Sequence, residues 1–124
     1  MTIEQNLVSQ GGIWDNTAKS IVGSLLTTGL SGAGTSSQAN AAVIPLSDYV
    51  CFSTVAANAG AILPAGGGAE INVFNGGANA LLVYPPVGGN VNQGTVNVAF
   101  SVAVGKNCLF QSPDGLNWFA THST

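Results

Sequence analysis

Arginine is absent from this sequence, and charge of either sign is scarce. Lys19 and Lys106 are the only cations besides a single histidine, and Glu4, Asp15, Asp48, Glu70 and Asp114 are the only acidic side chains. Charged residues make up 6 % of the chain, against about a quarter in an ordinary soluble domain. Two lysines cannot neutralise a phosphate backbone, so nucleic acid is not an expected partner. Long apolar runs are missing too: no stretch reaches the roughly 18 residues that a membrane helix needs, so no membrane association is expected. The opening Met-Thr-Ile-Glu lacks a basic segment followed by an apolar one, so no signal peptide is read there and synthesis in a cytoplasm is expected.

Catalytic chemistry is equally short of material. His122, the one histidine, is the third residue from the end, a poor place to hold a general base against a nucleophile. Without it no Ser-His-Asp or Cys-His arrangement can be assembled. Of the carboxylates, Asp114 in Pro113-Asp114-Gly115 is explained by turn geometry, and Asp48 after Ser47 by a strand entry. Glu4, Asp15 and Glu70 suggest no pair for glycoside hydrolysis. Gly66-Gly67-Gly68 lacks the Lys-Ser/Thr that follows in a phosphate loop and reads as plain loop. Cys51 and Cys108 each sit in an apolar run and are expected to be buried and reduced. Two cysteines and one histidine are too few for a metal site. No enzyme activity, catalytic residue, cofactor, metal or small-molecule ligand is therefore expected.

What the chain has in quantity is neutral surface: Asn, Ser, Thr and Gln, with 17 glycines and 46 % hydrophobic residues. Neutral amides and hydroxyls cost less to dehydrate than charges do. Depletion of charge is also a property of the buried centre of a protein interface. A net charge of −3 gives little repulsion between copies. The composition suits a protein that lives in an assembly.

The pattern along the chain predicts an all-β fold. Val96 to Val104 alternates apolar and small or polar residues over its whole length and is the clearest strand. Gly105-Lys106 turns it into a strand over 107–112, and Pro113-Asp114-Gly115 turns that into 116–121, a three-strand meander. Upstream, Asn75-Gly76-Gly77 between 70–75 and 78–84 reads as a hairpin. A strand is expected over 49–56 and a weaker edge strand, limited by Pro45, over 42–46. Six or seven short antiparallel strands with regular turns predict a β-sandwich or barrel. Ala-Asn-Ala recurs at 39–41, 57–59 and 78–80, but with uneven spacing and unmatched flanks, so no solenoid is predicted.

Residues 1–37 read as an N-terminal arm and 38–124 as the β-domain. The arm suggests a short helix capped by Asn16, striped by Ile21, Val22, Leu25 and Leu26, and ended by Gly29. Its apolar side chains, with Trp14, suggest docking on another subunit. Tyr84, Trp118 and Phe119 are the other aromatics of note. Trp118 and Phe119 are adjacent in a strand and must face opposite ways, so one is expected in the core and the other outside.

The run Ile62-Leu63-Pro64-Ala65 and the segment Ala69-Glu70-Ile71-Asn72-Val73-Phe74-Asn75-Gly76-Gly77-Ala78-Asn79-Ala80-Leu81-Leu82-Val83-Tyr84-Pro85 resemble the small β-rich virion proteins of tailed bacteriophages. The similarity continues through Val91-Asn92, Gly105-Lys106, Phe110 and Trp118, and excludes the N-terminal arm. That group comprises capsid decoration (cement) proteins, head fibres and tail-fibre modules. The resemblance implies a virion structural protein on the outer capsid surface, with the major capsid protein and copies of itself, as a trimer or other oligomer, for partners. The short chain, with no visible shaft repeat, favours decoration over a receptor- or glycan-binding fibre module.

Overall fold

A computed structural model of the chain describes residues 13–15, 20–22, 25–65 and 69–123. The described residues form strands and no helix: β1 (Ile13–Asp15), β2 (Ser20–Val22), β3 (Leu26–Ser31), β4 (Ala42–Val43), β5 (Tyr49–Thr54), β6 (Gly60–Ile62), β7 (Ala69–Asn75), β8 (Leu81–Tyr84), β9 (Asn90–Val91), β10 (Phe100–Val102), β11 (Asn107–Ser112) and β12 (Asn117–His122). β1 and β2 pair antiparallel as a two-stranded sheet of their own. The helix expected between Asn16 and Gly29 is therefore overturned, because Ser20–Val22 and Leu26–Ser31 are strands.

The remaining strands form a four-stranded sheet, β10-β8-β6-β4, and a six-stranded sheet, β3-β5-β7-β11-β12-β9. Consecutive strands between β3 and β8 alternate between the two sheets. β3, β5 and β7 lie side by side and parallel in one, while β4, β6 and β8 do so in the other. Each β3–β4, β5–β6 and β7–β8 pair is thus one coil, stacked on the next. In the six-stranded sheet Leu26 pairs with Tyr49 and Tyr49 with Asn72, a step of 23 residues per coil. In the four-stranded sheet Ala42, Ala61 and Val83 follow one another in the same way.

This is a β-solenoid of stacked coils, and the expected sandwich or barrel of antiparallel strands is corrected accordingly. The chain segment joining two parallel neighbours must cross through the opposite sheet, which a hairpin cannot do. After the third coil the direction reverses. β10 runs antiparallel to β8 and β11 antiparallel to β7, with β12 antiparallel to β11 and β9 parallel to β12. These additions cover the C-terminal end of the stack, as the atypical last repeats of solenoids do.

Two local expectations fail for reasons visible in the coils. Asn75-Gly76-Gly77 joins strands of different sheets, so it is a coil corner and not a hairpin. Its glycine serves close stacking: a Cβ on Gly77 would stand 2.6 Å from the Val55 nitrogen of the coil below. The Val96–Val104 strand shrinks to Phe100–Val102 and joins β8 instead of β11, so the meander does not form. Asn97 breaks the run. It adopts a φ of 66°, and its Oδ1 accepts from the Gly88 N–H at 2.7 Å, leaving Val96, Val98 and Val104 exposed.

The core lies between the sheets. Val50, Phe52, Val73, Phe110 and Trp118 enter it from the six-stranded side, and Ala61, Leu81, Val83 and Val102 from the other. Period-two alternation puts these residues inward and their neighbours outward. The boundary drawn at residue 37 cuts the first coil between β3 and β4, so residues 26–37 are joined to the main sheets.

Candidate functional site: the outer face of the six-stranded sheet

The outward positions of the six-stranded sheet form rows across its strands. One row runs Leu26, Tyr49, Asn72, Leu109, Thr121, and the next contains Cys51, Phe74 and Asn107. A third holds Glu70, Gln111 and Phe119. Amides knit the rows together. The Tyr49 hydroxyl donates to Asn107 Oδ1 at 2.6 Å, and Asn107 Nδ2 reaches Asn72 Oδ1 at 3.4 Å. Gln111 Nε2 donates to Glu70 Oε2 at 3.2 Å. Among the described residues of these rows Glu70 is the one charge, and Phe119 is 43 % exposed. The face combines aromatic and aliphatic area with neutral amides, a combination that costs little to dehydrate.

The Trp118–Phe119 pair divides as its alternation requires, with Trp118 fully buried and Phe119 outside. Trp118 Nε1 donates to the Gly115 carbonyl at 3.4 Å, so its polar atom has a partner in the interior. Tyr84 is buried. Trp14 lies in β1, and its side chain falls outside the described residues.

The turn between β11 and β12 is built by Asp114. Its Oδ1 accepts from the Leu116 and Asn117 N–H groups at 2.9 and 2.8 Å, while Asn117 Nδ2 donates to Oδ2 at 2.6 Å. These bonds hold the Asp114 carboxyl down at about 2, from an ordinary 3.8. Gly115 follows at a φ of 83°, which a residue with a Cβ adopts with strain. Asp48 is equally structural: its Oδ2 accepts from Leu25 N–H at 2.9 Å and ties the first coil to the second. Asp48, Asp114 and Glu70 thus each have a different partner. No cluster of three metal-binding side chains occurs among the described residues. Glu4, Lys19 and Gly66-Gly67-Gly68 fall outside them, as does the Asp15 side chain.

His122 is not in a frayed tail. It ends β12, stands opposite Cys108 in register, and its ring lies 4.8 Å from Phe100. The chain is tied one residue further on, where the Ser123 N–H donates to the Asn107 carbonyl at 2.7 Å. Cys51 and Cys108 are both free thiols. Cys108 is buried, and desolvation pushes its thiol up to about 11. Cys51 is half-buried on the outer face, so the expectation that both are buried holds for one of them.

The structural residue that sequence reasoning missed is Asn75. It is fully buried at the third corner, where its Nδ2 donates to the Asn79 and Val102 carbonyls at 2.8 and 2.9 Å and its Oδ1 accepts from Gly77 N–H at 3.0 Å. Asn79 in turn donates to the Val55 carbonyl at 2.9 Å, joining the third corner to the second. The signal was the Ala-Asn-Ala triplet. Each copy immediately precedes a strand of the four-stranded sheet, starting at Ala42, Gly60 and Leu81.

No family model, no curated protein and no solved structure matches this chain. No helix among the described residues is long and apolar enough to cross a membrane.

Proposed function

We propose that the chain is a non-enzymatic virion structural protein that attaches to other protein subunits through the outer face of its six-stranded sheet. The observation that carries this reading is that face: Tyr49, Phe74, Leu109 and Phe119 set among amides, with Glu70 as its one charge. Burial of a neutral, partly aromatic surface adds contact area without stranding charges, and added area between neighbouring coat subunits opposes their separation. The resemblance read from the sequence between Ile62 and Trp118 implies the same kind of assembly. On this reading the partners are the major capsid protein and further copies of the chain, and the site is the outer capsid surface.

The stacked coils favour a second reading, a module of a head or tail fibre that contacts a receptor or glycan. A fibre module needs a repeat, and the step of 23 residues from Leu26 to Tyr49 to Asn72 supplies one. Immunogold labelling of purified particles, made by the phage genome that encodes the chain, separates the two. Label over the head surface is expected for decoration, and label confined to fibres moves the protein to the second reading. Particles without label, from lysates in which the chain is abundant, overturn both.

A further inference from the structure

Among the described residues no strand covers the N-terminal end of the solenoid. β3 is the edge of the six-stranded sheet and β4 the edge of the four-stranded one, and both belong to the first coil. Four large apolar side chains are exposed on this coil or its junction with the second: Leu25 at 39 %, Leu26 at 62 %, Val43 at 76 % and Leu46 at 74 %. The chain around Leu25 runs beside 47–49: Asp48 and Tyr49 donate backbone hydrogen bonds to the Leu25 carbonyl, and Thr27 Oγ1 bonds Ser47 Oγ at 2.6 Å. An unpaired edge beside exposed apolar groups is a template for one more strand.

The repeat identifies a segment that fits. One step of 23 residues upstream of Leu26 is Ile3. The run Ile3-Glu4-Gln5-Asn6-Leu7-Val8 sets Ile3 against Leu26 at this step, and where the register of β3 shifts after Thr27 and Leu30 pairs with Phe52, the same offset sets Val8 against Leu30. Residues 3–8 lie outside the described residues. A chain that built this coil for itself would continue with β2 beside β4, as β4 continues beside β6. β2 pairs antiparallel with β1 in a separate sheet instead.

We propose that residues 3–8 of a second copy of this chain add as a parallel strand to the open edge of β3, joining copies by strand donation. The inference does not depend on which larger particle the copies belong to.

Disulfide trapping in the full chain tests it. Cys51, half-buried on the outer face, is replaced by Ser throughout, and circular dichroism verifies the fold. One batch then carries Ile3→Cys and another Leu26→Cys. Paired positions on adjacent strands lie about 4.8 Å apart, within reach of a disulfide. Mixing the batches under mild oxidant should give a cross-linked band at twice 12.4 kDa on a non-reducing gel. Neither batch alone should give it in comparable yield. A chain carrying both substitutions should cross-link between copies. Cross-linking confined within single chains overturns the donation between copies, and no cross-link in either format overturns the docking altogether. As a second measure, Ile3→Asp should convert a sedimenting oligomer to monomer without loss of β-structure, and an unchanged oligomer counts against the proposal.

Discussion

Asn75 is where the stacked-coil account is most exposed to a stability measurement. Its side chain is fully buried and makes three hydrogen bonds, donating to Asn79 and Val102 and accepting from Gly77. Asn75→Ala removes all three. At about 1 kcal/mol net for each bond the loss is about 3 kcal/mol, with more where a buried carbonyl is left without a partner. For a chain of this size that lowers Tm by roughly 12 °C. Asn75→Asp adds a test of sign. A carboxylate there would face two carbonyls in a buried site, so its folded-state pKa is raised above the unfolded value. Stability of that variant is present while the group is protonated and is lost as pH rises through the folded pKa. Asn75→Asp should therefore lie nearer the wild type at pH 4 than at pH 7. Urea unfolding followed by tryptophan fluorescence reads both variants, with Asn72→Ala on the outer face for comparison. An Asn75→Ala variant within about 0.5 kcal/mol of wild type would refute the role given to this corner.

Asp114 titrates in the opposite sense. Its carboxyl is held at about 2, so its contribution is present above the ordinary 3.8 and lost as pH falls through about 2. Between pH 4 and pH 2 the wild-type urea midpoint should fall more steeply than that of Asp114→Ala, and parallel slopes would contradict the assignment. Gly77→Ala brings a Cβ to 2.6 Å from the Val55 nitrogen, and the overpacked corner should lose about 1–3 kcal/mol by thermal unfolding. A thiol reagent at pH 8 should modify the half-buried Cys51 in the native protein and Cys108 only after denaturation. Equal native reactivity would mean that Cys108 is not held in the core.

The sequence carries the all-β character and several of its strands because these rest on local pattern. Tyr49–Thr54 and Asn107–Ser112 follow from their alternation, and the turn at Pro113-Asp114-Gly115 from Asp and Gly chemistry. The opposed faces of Trp118 and Phe119 follow from the pleat. The arrangement of strands is a different matter. Asn75-Gly76-Gly77 has the composition of a hairpin turn, yet its amide bonds and its glycine serve contact with the coil below, information that a two-strand window does not contain. The three Ala-Asn-Ala triplets stand at the corners, but their uneven spacing hid the step of 23 residues that Leu26, Tyr49 and Asn72 keep in the other sheet. The long alternation from Val96 to Val104 failed at Asn97, where a side-chain bond to Gly88 outweighs strand propensity. The outer face was legible as composition and not as place. Charge depletion is read from the sequence, but only the cross-strand register brings Tyr49, Phe74, Leu109 and Phe119 onto one side.

The most direct test of adhesion through that face places charge on it without disturbing the core. Leu109→Lys together with Phe119→Lys changes two outward side chains on neighbouring strands, and circular dichroism should remain that of the wild type. Particles grown without the native chain are mixed with wild-type or doubly substituted protein and sedimented, and the bound fraction is measured on a gel. The account predicts that the wild type co-sediments to saturation while the folded double variant stays in the supernatant. A folded double variant that co-sediments as well as the wild type would contradict it.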